Sequence, residues 1–86
     1  MNSEELDKIF DDIDSAWEGD NAMQGLLIIG KYFDKSKSLI CAAEHDIIYS
    51  VSVSDILKAG LTEEDAQQLA KLNWSLDEYG CLSCFI

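Results

Sequence analysis

The sequence contains no proline, no arginine, one histidine and three cysteines in 86 residues. Arginine is the usual bidentate donor to phosphate, so its absence argues against direct binding of nucleic acid. An odd number of cysteines without a secretion signal indicates a reducing compartment rather than a disulfide scaffold. The longest apolar run, Gly25–Gly30, is far below the roughly 20 residues that cross a bilayer. Because the first residues are acidic rather than basic, we expect a cytoplasmic protein without a membrane segment.

Carboxylate side chains greatly outnumber cationic side chains in this sequence. Seventeen Asp and Glu residues face six Lys residues, which gives a formal net charge of −11. Apolar residues make up 48% of the chain, which argues against intrinsic disorder despite this charge. The length suits one domain spanning residues 1–86. A surface of this charge favours basic partners, such as a nucleic-acid-binding protein, a cationic peptide or metal ions.

The periodicity of apolar residues predicts an α+β fold with the order ααββααββ. A small antiparallel sheet of three to four strands is expected to pack against helices. In the second helix, Met23, Leu26 and Leu27 are expected to face inward, and Gly25 and Gly30 indicate close packing against another element. A buried strand over residues 26–29 is the competing interpretation. Alternation after the turn at residues 44–46 predicts a strand with a polar serine face.

The first helix, expected at about residues 3–18, carries an acidic line. Helical spacing of 3, 4, 3 and 4 residues aligns five carboxylates, namely Glu4, Asp7, Asp11, Asp14 and Glu18. Lys8 alone does not offset the repulsion between carboxylates four residues apart. Such a line is suited to a basic channel that normally binds nucleic acid, since its steps are of the order of phosphate spacing. The alternative is the solvated face of an amphipathic helix.

A second acidic cluster lies at the start of a later helix. Thr62 is the expected N-cap, and the carboxylates that follow it are Glu63, Glu64 and Asp65. Carboxylates in the first turn also suit the positive end of the helix dipole. We expect these three residues to form a second binding patch for the same basic partner.

Metal binding and catalysis are weakly indicated. Cys41, His45, Cys81 and Cys84 have the composition of a structural zinc site. However, Cys81 and Cys84 would lie on opposite faces of a strand. The alternative is three small buried residues and a turn histidine, so no metal or other cofactor is expected. No phosphate-binding loop, nucleophile elbow or calcium loop is present, and we expect no enzymatic activity.

The stretches A-E-H-D-I-I-Y-S-V and L-T-E-E-D-A-Q-Q-L-A-K-L-N-W-S-L-D-E resemble a pattern of small phage-encoded proteins. The resemblance covers roughly residues 22–86 and leaves out the acidic first helix. It departs from the pattern at Asn73, where glycine is usual, and at the cysteines of the last strand, where aromatic residues are common. Some small acidic phage proteins are similar to anti-CRISPR or anti-restriction inhibitors. The resemblance implies an anti-defence role in a host bacterial cell and carries over no catalytic residue.

Two functional hypotheses follow. The first is an anti-defence inhibitor whose acidic surface occupies the nucleic-acid-binding channel of a host defence complex. The alternative is a small interaction protein that dimerises or scaffolds a partner through apolar surface, without mimicry of nucleic acid. The apolar last strand, expected at residues 81–86, is a candidate for pairing across a homodimer edge.

Overall fold

A computed structural model describes residues 1–14 and 20–85 and shows an α+β fold. The described helices are α1 (Ser3–Asp12), α2 (Asn21–Gly30), α3 (Val53–Lys58) and α4 (Glu63–Lys71). The described strands are β1 (Ala42–Glu44), β2 (Ile47–Ser52), β3 (Trp74–Leu76) and β4 (Cys81–Phe85). The predicted order ααββααββ is confirmed. The strand interpretation of residues 26–29 is wrong, because these residues belong to α2.

The four described strands form one antiparallel sheet in the order β1-β2-β4-β3. β4 pairs with β2 along one side and with β3 along the other. This strand therefore has no free edge, and its expected pairing across a dimer edge is wrong. Both outer strands, β1 and β3, are only three residues long, which limits the backbone available for edge pairing.

The turn between β1 and β2 has the local chemistry of a tight hairpin. His45 and Asp46 both adopt positive φ, at 52° and 64°. Two consecutive residues in this region match the twist of the flanking strands in a two-residue hairpin loop. The predicted turn is confirmed.

The predicted serine face of β2 is wrong at Ser50. A register shift between Tyr49 and Ser52 interrupts the pairing with β4, and Ser50 and Val51 are both buried. The Ser50 hydroxyl donates a hydrogen bond to the backbone carbonyl of Leu39, which satisfies the buried group. Ser52 then caps α3 by accepting a hydrogen bond from the backbone N–H of Asp55.

The inward face of α2 differs from the predicted one at Met23 and Leu27, whereas Leu26 packs against the core as expected. Asn21, Gly25 and Ile29 are buried, whereas Met23 and Leu27 are 54% and 66% exposed. Gly25 lies against Trp74: a Cβ added to Gly25 would stand 1.9 Å from the indole Nε1. That nitrogen donates a hydrogen bond of 3.0 Å to the carbonyl of Asn21. The close packing predicted for this glycine is confirmed, and Trp74 is its partner.

One hydrophobic cluster joins the described helices to one face of the sheet. Each of these four helices contributes to it at least one fully buried side chain, namely Leu6, Ile29, Ile56, Ala66 and Leu69. The sheet contributes Val51, Trp74, Leu82 and Cys84. Trp74 and Cys84 are cross-strand partners and therefore point to the same face. The helical layer thus covers this inner face of the sheet.

Candidate acidic interaction surface

One side of α1 packs against the core, and the other side exposes carboxylates. Leu6 is fully buried, and Ile9 and Phe10 are half-buried against the core. Asn2 caps the helix: its side chain accepts a hydrogen bond from the N–H of Glu5, and the Glu5 side chain accepts one from the N–H of Asn2. This reciprocal capping box fixes the first turn and satisfies two backbone donors.

The acidic line is shorter on this helix than the sequence indicates. Glu4, Asp7 and Asp11 are exposed residues of α1 and span about 10 Å along its axis, at a rise of about 1.5 Å per residue. The helix ends at Asp12, because Ile13 adopts extended backbone angles (φ −97°, ψ 127°). Asp14 is exposed but follows the helix, so it is not part of its line. Glu18 lies outside the described residues.

No lysine forms an ion pair with these α1 carboxylates within the described part of the chain. There the ion pairs join Lys31 to Asp65 at 2.9 Å and Lys37 to Asp55 at 3.3 Å. Lys8 is the one cationic side chain of α1, and it is exposed. We call Glu4, Asp7 and Asp11 the α1 acidic line. Its charges face water rather than fold-stabilising partners.

Among the described residues, two grooves flank α1. The first, of about 690 Å³, separates α1 from the start of α4, and its charged lining consists of Glu5, Lys8, Asp12 and Glu63. The second, of about 350 Å³, lies on another side of α1 and is lined by Asp7, Phe10, Asp11, Trp74, Ser75 and Leu76. The helix therefore presents its carboxylates as a ridge between two acidic depressions.

The carboxylates of the cluster predicted at the start of α4 have different surroundings. Glu63 faces the groove beside α1. Asp65 instead points to α2, where it accepts hydrogen bonds from the Tyr32 hydroxyl (2.5 Å) and from Lys31 Nζ (3.0 Å). Its side chain is only 16% exposed. Asp65 raises the pKa of Lys31, and Glu64, which is exposed, makes a smaller contribution in the same direction. Asp65 therefore has structural partners that Glu63 and Glu64 lack among the ion pairs of the described residues, and the second binding patch stays a prediction.

Hydrogen bonds account for the lowered pKa of Asp65. The Tyr32 hydroxyl is the largest factor that lowers the pKa of Asp65, and Lys31 and Thr62 lower it further. The same hydroxyl accepts a hydrogen bond from the backbone N–H of Thr62 at 3.1 Å. Tyr32 therefore ties the end of α2 to the first turn of α4. Sequence analysis missed this role because the contact joins residues 30 to 33 positions apart.

The fold does not bring the four candidate zinc ligands together in one site. Cys41 is exposed, so its expected burial is wrong, and His45 lies in the hairpin turn. Cys84 is buried on the inner face of β4, and burial raises the pKa of its thiol. Burial also raises the pKa of Cys81, with smaller contributions from Asp77 and Cys41. Over residues 1–14 and 20–85, no three His, Cys, Asp or Glu side chains are grouped to hold a metal ion.

Comparisons with protein-family models, curated protein sequences and solved structures find no match to this chain. Within the described helices, none combines the length and the apolar character that crossing a membrane requires. The resemblance to small phage-encoded proteins therefore stays a prediction.

Proposed function

We propose that this protein is an anti-defence inhibitor of phage or mobile-element origin that acts by binding, without catalysis. In this proposal, the α1 acidic line enters the basic nucleic-acid-binding channel of a host defence complex. Target DNA then cannot enter the channel, because the α1 acidic line occupies it. The partner is a protein or protein complex in the host bacterial cytoplasm, and no cofactor takes part.

The observation that carries this proposal is an uncompensated acidic line on a firmly seated helix. Glu4, Asp7 and Asp11 are exposed, and neither described ion pair involves them. The one i,i+4 pair among them, Asp7 and Asp11, destabilises an isolated helix by a few tenths of a kcal/mol. Leu6 and the capping box hold α1 in place despite this repulsion. A partner would therefore meet the carboxylates in a fixed arrangement, which lowers the entropic cost of binding.

Charge geometry also favours a basic channel. Double-stranded DNA carries one charge per about 1.7 Å of axis over both strands, so a channel that binds it has closely spaced Lys and Arg side chains. Successive carboxylates of the α1 acidic line advance by about 4.5–6 Å along the helix. Glu5, Asp12 and Glu63 add charge in the adjacent groove. Together these residues form an acidic ridge that such side chains can contact from either side.

A phage plaquing assay tests the proposal. The protein is expressed in bacteria that each carry one defence system, and plaquing of a restricted phage is measured. We expect the wild-type protein to restore plaquing against at least one system that binds DNA. The double variant Asp7→Asn/Asp11→Asn should lose most of this effect.

A matched variant controls for net charge. Glu64→Gln/Asp34→Asn also removes two exposed carboxylates, one beside Lys31 and one in the turn after α2, where the asparagine Oδ1 can still accept the hydrogen bond from the N–H of Ser36. This variant should retain inhibition. Full inhibition by Asp7→Asn/Asp11→Asn, or equal loss in both variants, would contradict a role for the α1 acidic line.

Binding through apolar surface is the second candidate function. Met23 and Leu27 lie four residues apart on α2 and are 54% and 66% exposed. Neighbouring exposed apolar side chains are typical of contacts with another protein. For this function, Leu27→Ser would weaken self-association or partner binding, and the interaction would persist at high salt. Light scattering in dilute solution measures self-association directly.

A further inference from the structure

The sheet has a second face that the described helices do not cover. Cross-strand pairing places Ile47 beside Phe85 and Tyr49 beside Ser83, so these four side chains point to the same side. None of them belongs to the core cluster or to the partly buried residues packed against it. Tyr79, from the turn before β4, lies with its ring 6.3 Å from that of Tyr49 in an edge-to-face arrangement. We call these five residues the outer sheet face.

This face is aromatic and partly open: Ser83 is buried, and Ile47 and Tyr49 are half-buried. Tyr79 is 73% exposed and Phe85 is 54% exposed. The turn that carries Tyr79 is fixed, because Asp77 Oδ1 accepts hydrogen bonds from the backbone N–H groups of Tyr79 and Cys81. The backbone that carries Tyr79 is therefore fixed, and its exposed ring lies edge-to-face against that of Tyr49. Rigid, exposed tyrosine rings are typical anchors of protein interfaces.

The surroundings of the outer sheet face are acidic. The two hairpins, residues 42–52 and 74–85, contain Glu44, Asp46, Asp77 and Glu78 but no lysine. Partial burial raises the pKa of Tyr49, and the nearby charges of Glu44, Asp77 and Glu78 raise it further. Asp77 Oδ2 is buried and has no hydrogen-bond partner among the described residues. The rings thus lie in a negative field that no lysine of these hairpins offsets.

We infer that the outer sheet face docks a basic protein segment, with an arginine or lysine side chain over the Tyr49 and Tyr79 rings. Aromatic faces attract cations, and the carboxylates of Glu44 and Glu78 add to that attraction. Ile47 and Phe85 supply apolar contact for the rest of the segment. Charge complementarity distinguishes this occupant from a second copy, which would bring another acidic rim onto a chain that already carries a net charge of −11.

This surface is separate from the α1 acidic line. α1 packs on the inner face of the sheet through Leu6, whereas the outer sheet face points the other way. The inference therefore goes beyond the proposed function and adds a second contact for a basic protein. It also explains how an acidic protein would gain specificity, since an aromatic anchor selects shape as well as charge.

An NMR titration at low salt tests this inference. The probe is a synthetic peptide with two arginines and one leucine, and the control peptide has glutamates in place of the arginines. We expect the arginine peptide to shift the signals of Tyr49, Tyr79 and Phe85, and the glutamate peptide to shift none of them. Tyr79→Ser should raise the Kd about twofold to fivefold, and Tyr79→Phe should retain binding because it keeps the ring.

Two variants of equal charge complete the test. Glu44→Gln/Glu78→Gln and Asp7→Asn/Asp11→Asn each remove two carboxylates, but only the first pair lies beside the outer sheet face. The first should raise the Kd about fivefold, whereas the second should change it by less than about twofold. Equal effects, or peptide shifts confined to α1, would overturn the inference. A dimer in sedimentation that Tyr79→Ser dissociates would overturn it too, because a second copy would then be the occupant.

Failure of this inference and failure of the proposed function are distinguishable. Peptide binding depends on the outer sheet face and needs no defence complex. The plaquing assay with Asp7→Asn/Asp11→Asn depends on α1 and needs no peptide. A chain that inhibits defence without binding the arginine peptide would leave the proposed function intact and overturn the inference.

Discussion

The first turns of α1 and α4 are both acidic, yet the fold uses their carboxylates differently. In α4, Asp65 is mostly buried and accepts hydrogen bonds from Tyr32 and Lys31. In α1, Glu5 completes a capping box, but Glu4 and the next carboxylate, Asp7, extend into solvent without a described ionic partner. The difference therefore lies within each first turn. Glu5 and Asp65, each the third residue of its helix, accept hydrogen bonds that stabilise the fold, whereas Glu4 and Asp7 are exposed and have no described ionic partner.

This difference shows why counting charges does not identify a binding surface. Seventeen carboxylates are present, but several are engaged locally. Asp20 caps α2, Asp34 accepts hydrogen bonds from Ser36, and Asp55 pairs with Lys37. The hydrogen bonds from Ser36 lower the pKa of Asp34. Glu4, Asp7 and Asp11 are exposed and form no ion pair among the described residues, so a basic surface could contact them.

Truncating Leu6, the buried side chain that anchors α1 to the core, should have the largest effect on stability. Leu6→Ala replaces a fully buried side chain, and we expect it to lower the free energy of unfolding by about 2–5 kcal/mol. Urea denaturation monitored by tryptophan fluorescence measures this loss. Wild-type stability in this variant would mean that α1 is not held by the core. The comparison of α1 with α4 assumes that both helices are held in place by the core, so it would then fail.

Removing the charge of Asp65 should have the next largest effect. Asp65→Asn weakens hydrogen bonds to a charged acceptor, and we expect a loss of about 1–3 kcal/mol in the free energy of unfolding. Glu64→Gln, one residue earlier and exposed, should change it by less than about 0.5 kcal/mol. Equal losses in the two variants would contradict the distinct role of Asp65.

Acid titration should show the same distinction. The fold lowers the pKa of Asp65, so its contribution is complete above the unfolded value of about 3.9 and is lost as pH falls through the folded value. The stability difference between wild type and Asp65→Asn should therefore shrink as the pH falls below about 4. Asp34, whose pKa is also lowered, is present in both proteins and cancels. A difference that stays constant down to strongly acidic pH would contradict this assignment.

Neutralising the α1 acidic line should have the smallest effect on stability. Asp7→Asn/Asp11→Asn removes an i,i+4 repulsion worth a few tenths of a kcal/mol. We expect the free energy of unfolding at low salt to rise slightly or to stay within about 0.5 kcal/mol of wild type. Thermal unfolding at two salt concentrations measures this change. A loss above about 1 kcal/mol would mean that these carboxylates stabilise the fold.

Local signals in the sequence predicted the order of elements well. Thr62 caps α4 as expected, and Asn73, two residues after the end of that helix, adopts a positive φ of 65°. The hairpin at His45 and Asp46 likewise follows from residues that tolerate positive φ. These features depend on neighbours within about four residues, which is why they are visible in one sequence.

Features that depend on distant contacts were not predictable. α2 is apolar on several sides, so periodicity could not select the buried one, and the contact of Gly25 with Trp74 decides it. The sequence alone grouped Asp65 with Glu63 and Glu64, because its partner Lys31 is 34 residues away and local patterns do not reveal that contact. Ser50 is buried because of a register shift in β2 that alternation does not reveal. In each case tertiary packing overrides the local pattern.

The salt dependence of partner binding tests the central claim most directly. With a purified defence complex that the protein inhibits, the Kd of wild type and of Asp7→Asn/Asp11→Asn is measured between about 50 and 300 mM salt. Exposed charge pairs are screened by salt, so wild-type binding should weaken steeply, and the variant should bind more weakly with a shallower slope. Identical slopes and affinities for the two proteins would contradict the claim that a basic partner binds the α1 acidic line.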